Sequence, residues 1–184
     1  MDAKDIFIVN YRHLNCEPMK SITQLPKEDA LILANKLYTE SPCRAHNRFG
    51  PDFEEYYKRR VEMEKWLYER FIALGGNPKF KNPFYFSLQH SENLYENFDK
   101  GSIIKINLKN IYMFDISFTF GDSMAKFYSS DWEDPFLKNH LYNYIFESDK
   151  NADNFLCNVQ QQYHYIEAQL WTDKYFDCIG VAMK

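Results

Sequence analysis

The sequence predicts an α+β fold, a single domain over residues 1–184 in which N-terminal helices pack on a mixed, mostly antiparallel sheet. Three observations carry this expectation. Apolar residues recur at helical spacing early in the chain, the period drops to two later, and helices and strands do not alternate in the βαβ manner that builds a parallel sheet. The 184 residues suffice for one core, and no internal repeat, low-complexity tract or linker divides them.

Residues 6–11 (Ile-Phe-Ile-Val-Asn-Tyr) are β-branched and aromatic and read as a first strand. After a loop with Pro18, Pro26 opens a helix whose Leu31, Ala34 and Leu37/Tyr38 share a face, and Ser41-Pro42 ends it. The strongest element is a helix over 52–74. Pro51 and Asp52 open it, Glu55 stands where a capping box places an acid, and Gly75-Gly76 with Pro78 stop it. Its apolar stripe is Phe53, Tyr56/Tyr57, Met63, Trp66/Leu67, Phe71 and Leu74.

The period then changes. Pro83-Phe84-Tyr85-Phe86-Ser87-Leu88 reads as a short strand. Ile104, Ile106 and Leu108 alternate with Lys105 and Asn107, and Ile116, Phe118 and Phe120 alternate with Ser117 and Thr119. Helices are expected over 135–146 and 154–162. A strand over 165–171 puts Ile166, Ala168 and Leu170 on one face and Tyr165, Glu167, Gln169 and Trp171 on the other, and a last short strand is expected over 178–182.

Composition bounds the function. Aromatic residues reach 18% against only 6 Gly, which reads first as an aromatic-rich core. A net charge of −4 with no basic tail gives no whole-protein field for nucleic acid. Arg44, Arg48 and Lys58-Arg59-Arg60 do lie close enough in sequence for a local basic patch, whose phosphate contacts would be salt-dependent; a solvated helix face is the simpler reading. Cys16, Cys43, Cys157 and Cys178 form no Cys-x-x-Cys pair and have no His at ligand spacing, which argues for a reducing compartment and against a structural metal. No segment approaches about 18 apolar residues and no cleavage-like leader is evident, so a cytoplasmic protein without a membrane partner is expected.

Two stretches are site-like. Glu167 is a carboxylate in mid-strand, unfavourable on propensity, beside Gln169. It sits on a wet face, is paired internally, or is held in a cleft for chemistry; periodicity alone favours the wet face. Phe118-Thr119-Phe120-Gly121-Asp122-Ser123 runs a strand into a turn. Such a turn cradles an anion or ribose, or else supplies an N-cap for a helix beginning near Met124. His13, after the first strand, reads by default as structural, and no Walker, Rossmann or Gly-x-Ser-x-Gly motif is present.

Taken together, Pro83-Phe84-Tyr85-Phe86, the segment from Phe118 to Ala125, Asp131-Trp132 and Gln162-Tyr-His-Tyr-Ile-Glu167-Ala-Gln-Leu-Trp171 resemble in order and spacing the DarT family of bacterial toxins. These are ADP-ribosyltransferases that use NAD to modify bases of single-stranded DNA. The resemblance covers roughly residues 83–171. It implies an ADP-ribosyltransferase-like fold and a bacterial protein that binds NAD as its substrate, without a metal. A macromolecular acceptor and a neutralising partner protein are also implied. Glu167 would be catalytic, and His13 or Arg12 would hold a ribose or a phosphate. Tyr85 would stack on the nicotinamide, with Thr119, Asp122 and Ser123 at the nucleotide. Alternation lets only one of Arg12 and His13 face the cleft. The turn here is Thr-Phe-Gly-Asp where the family has Thr-Asp-Gly, and Tyr165 stands where many transferases have Gln or Glu. The rivals are a non-enzymatic α+β binding domain and a nucleotide hydrolase using Asp122 and Glu167.

Overall fold

The two apolar periods sort the chain into strands that meet in one sheet and helices that cover it. The computed structural model describes residues 6–127, 129, 133–147 and 152–176. The strands are β1 (Phe7–Arg12), β2 (Phe84–Leu88), β3 (Ser102–Asn107), β4 (Ile116–Phe120), β5 (Phe136–Leu137) and β6 (Ile166–Leu170). The helices are α1 (Lys27–Glu40), α2 (Phe53–Ala73), α3 (Glu92–Asn97), α4 (Ser123–Lys126), α5 (Lys138–Glu147) and α6 (Ala152–Tyr163). A 3₁₀ segment, Arg44–Phe49, joins α1 to α2.

The strand order is β3-β1-β2-β6-β4-β5. Every strand pair is antiparallel, where a mixed sheet was expected. The parallel feature among the described residues is a bridge between Gly121 and Ile166. One face carries Ile8, Phe86, Ile106, Phe118 and Ala168 against Leu141 and Ile145 of α5 and Phe155 and Val159 of α6. On the other face α2 lays Met63, Leu67 and Phe71 over Leu137 and Trp171. The Phe71 and Trp171 rings stack with centroids 5.0 Å apart. Burying each such side chain stabilises the fold by about 1.5–3 kcal/mol.

Local chemistry accounts for where elements start and stop, and for where the expected bounds fail. At the end of α2 Gly75 adopts φ 90°, which lets the Gly76 N–H return to the Phe71 carbonyl at 2.9 Å. The expected capping box at Asp52 does not form. Asp52 has φ −92° and ψ 15° and its side chain accepts no capping bond. The turn leaving the 3₁₀ segment fixes that backbone away from the extended form an N-cap needs. Residues 135–146 do not form one helix: Phe136 and Leu137 pair with Phe118 and Ser117, and α5 begins only at Lys138. The buried stripe of α1 is Ala30, Ala34 and Leu37, so Ala30 takes the place assigned to Leu31. The strand expected over 178–182, and Asp131-Trp132, lie outside the described residues.

One feature of the sheet positions the site. β1 and β2 pair through Ile8–Leu88 and Val9–Ser87. Beyond that they diverge, although β1 stays paired to β3 as far as Arg12 and β2 stays paired to β6 back to Phe84. The Asn10 amide donates to the Tyr85 carbonyl at 2.9 Å across the start of the gap. A cleft opens in this splay.

Candidate functional site

Period-two alternation and register place Val9, Ser87, Glu167 and Thr119 in one row across β1, β2, β6 and β4. The next row holds Tyr85, Gln169 and Ser117. These polar side chains join into a buried chain of hydrogen bonds. Trp171 Nε1 donates to Ser117 Oγ at 2.9 Å, and Ser117 donates to Gln169 Oε1 at 2.9 Å. Gln169 Nε2 donates to Thr119 Oγ1 at 2.9 Å and to Glu167 Oε1 at 3.0 Å. Ser123 Oγ donates to the same Glu167 oxygen at 2.6 Å.

Glu167 is therefore not on a wet face: it is only 7% exposed and β6 is buried along its length. Its Oε1 is fixed by two donors, and the residue lines the cleft. Burial, reinforced by the Asp122 carboxylate, pushes Glu167 up to about 7 from an ordinary 4.5, against the pull of Ser123, Arg60 and Gln169. A buried carboxyl poised there exchanges its proton near neutrality, and once ionised it is a strong, poorly solvated anion.

A second buried acid lies behind the cleft. Glu64 of α2 is fully buried. It accepts from Arg60 Nε at 3.0 Å, Tyr85 OH at 3.0 Å and Asn82 Nδ2 at 2.7 Å. Arg60 also donates to Tyr56 OH at 3.0 Å, and its guanidinium lies 4.2 Å from the Tyr85 ring centroid. Every group in this knot has a partner, the condition under which a buried ion pair is tolerated.

The cleft has two lobes. One, of about 310 Å³, is bounded by Ser87, Asn97, Asp122, Tyr165 and Glu167. The other, of about 620 Å³, is bounded by Arg12, Lys20, Leu33, His46, Tyr56 and Phe84. Asn10, Tyr11, Arg48, Arg60, Tyr85 and Phe98 line both, so the lobes adjoin along these residues. Each falls within the roughly 300–1,000 Å³ typical of small-molecule sites.

The residues singled out from sequence are distributed as follows. Glu167, Asp122 and Tyr85 line the smaller lobe, and Arg12 lines the larger one. Arg12 is tied down by a 2.6 Å bond from Nη1 to the Cys16 carbonyl. His13 lines neither lobe and lies against the His46 ring, with centroids 5.4 Å apart. Thr119 and Ser123 are buried behind Glu167 and orient it through Gln169 and directly. The Tyr85 ring meets the Arg60 guanidinium on one side. Asp122 accepts from the Met124 and Ala125 N–H groups at 2.8 and 3.4 Å. Asp122 is thus the N-cap of α4, one of the two roles the turn allowed.

The sequence offered Arg48 and Arg60 only as part of a local basic patch, with a solvated helix face preferred, and did not single out Glu64 at all. The available signal was Arg60 and Glu64 falling in step with Leu67 and Phe71 at i, i+4, i+7 and i+11 on the core-facing stripe. Comparison with known proteins adds nothing to this geometry: no family model, curated protein or solved structure matches the chain.

Proposed function

We propose that the cleft binds NAD and that the protein is an ADP-ribosyltransferase-like enzyme acting on a macromolecular acceptor. The observation that carries this reading is a buried carboxylate, Glu167, that lines the smaller lobe of a two-lobed cleft in a splayed sheet. In this reading the nicotinamide ribose occupies the smaller lobe and the adenosine the larger one. Breaking the glycosidic bond sends its electron pair out with neutral nicotinamide and leaves a cationic, oxocarbenium-like sugar. An ionised Glu167 stabilises that charge from a preorganised position. The acceptor's nucleophile then bonds to the anomeric carbon and loses its proton. A carboxylate titrating near 7 is matched to take it. The hydrolase alternative is less well supported, because Asp122 is exposed and engaged in capping α4.

The test is thermal stabilisation by NAD together with an assay of nicotinamide release. Wild type should be stabilised and should release nicotinamide. Glu167→Gln should retain stabilisation and lose release by roughly 10²–10⁴-fold, the usual range for a positioned acid or base. Absence of both signals in the wild type would leave the cleft as a binding site for some other ligand.

A further inference from the structure

The chain carries a net charge of −4, yet the middle of its cleft is cationic. Of the charged side chains lining the larger lobe, Lys20 pairs with Glu17 and Lys36 lies against Glu40. Arg12 is held through Nη1 by the Cys16 carbonyl. Where the lobes join stand Arg48 and Arg60. Among the described residues Arg48 has aromatic neighbours and no carboxylate partner: its guanidinium lies 5.5 Å from the Phe49 ring centroid and 5.9 Å from that of Phe98. Arg60 is 13% exposed, and Glu64, Tyr56 and Tyr85 fix its orientation.

We infer that Arg48 and Arg60 form an anion seat at the junction of the two lobes, built to hold the pyrophosphate of a dinucleotide. Geometry supports the pairing of roles. Arg60 is a preorganised fork whose anchor, Glu64, lies outside the cleft lining, and Arg48 is supplied by a different element, the 3₁₀ segment Arg44–Phe49. Planar guanidinium groups on aromatic faces suit phosphate oxygens and are less hydrated than ammonium groups. The local field has the required sign: burial works to raise the Tyr56 phenol, yet Arg60 and Arg48 outweigh it and pull the group below its ordinary value. The cleft is thus cationic at its waist and acidic at the Glu167–Asp122 end, complementary to a pyrophosphate attached to a cationic nicotinamide. This inference rests on the nucleotide reading of the cleft and is independent of catalysis.

Isothermal titration with inorganic pyrophosphate, ADP-ribose and adenosine tests it, with a short single-stranded oligonucleotide as a fourth probe. Wild type should bind pyrophosphate and ADP-ribose, and the affinity should fall as salt rises. Arg48→Ala, at an exposed position, should weaken both at least tenfold and leave adenosine unchanged. Arg60→Met with Glu64→Gln, which removes both buried charges together, should do the same, and circular dichroism would verify its fold. Absence of pyrophosphate binding in wild type, binding unaffected by Arg48→Ala, or binding of the oligonucleotide alone would each overturn the seat. Pyrophosphate binding without nicotinamide release would instead overturn the transferase reading and leave the seat standing.

Discussion

Glu167 is costly to ionise where it stands, and that cost has a measurable sign. Its folded value of about 7 lies above the ordinary 4.5, so between those values the native state holds a proton that the unfolded chain has released. Stability therefore declines as pH rises through this window, is complete below about 4.5 and has lost this contribution above about 7. The difference corresponds to about 3 kcal/mol. Glu167→Gln keeps an acceptor for Ser123 and Gln169 but carries no charge. In urea denaturation the variant should match wild type at pH 5 and exceed it by about 2–3 kcal/mol at pH 8. A wild type that gains stability over pH 5–8 relative to the variant would contradict the buried, desolvated state of this carboxyl. The residue was legible because a mid-strand acid violates strand propensity. Arg60 and Glu64 were not, because charges on a helix default to the solvated face. Only their spacing with Leu67 and Phe71 betrays that they point inward, and the Asn82 and Tyr85 groups that satisfy Glu64 lie far along the chain.

At the scale of elements, the splay between β1 and β2 depends on how the end of β1 is held from its other side. Gly101 precedes β3 where the backbone of Arg12 passes, and a Cβ there would lie 2.3 Å from the Arg12 carbonyl oxygen. Nothing flexible absorbs that overlap, because the obstacle is main chain. Gly101→Ala should destabilise the protein by roughly 1–3 kcal/mol, the usual cost of forced overpacking, and should shift Arg12, which lines the larger lobe. Thermal unfolding reads the first effect and weakened ADP-ribose affinity the second; a variant as stable as wild type would mean that this approach is not tight in solution. Most elements were legible from local pattern, since α2 and the strands carry their period in a dozen residues or fewer. What local pattern could not supply was pairing. Phe136 and Leu137 read as helix until β4 is there to pair with them, and the sheet's fully antiparallel order depends on contacts between β2 and β6 that are distant in sequence.

Across the whole molecule, the sheet divides into β3-β1 and β2-β6-β4-β5, joined where two residue pairs link β1 to β2. The second group is anchored on both faces, by α5 and α6 on one side and by α2 on the other. A ligand seated in the splay would contact both groups at once, through Asn10 and Tyr11 on one side and Tyr85 and Glu167 on the other. Binding energy would then add to the weak join between the two groups while leaving the well-packed interior unchanged. Hydrogen exchange separates these regions. Addition of NAD should slow exchange in peptides covering residues 9–12 and 84–87, and leave peptides within α5 and at the β4–β5 edge as they were. Uniform slowing across the sheet would show that the ligand stabilises the fold globally from some other site. Protection at residues 9–12 and 84–85, with none around residues 165–167, would place the ligand in the larger lobe alone, away from Glu167, and would remove the geometric basis for chemistry at that residue.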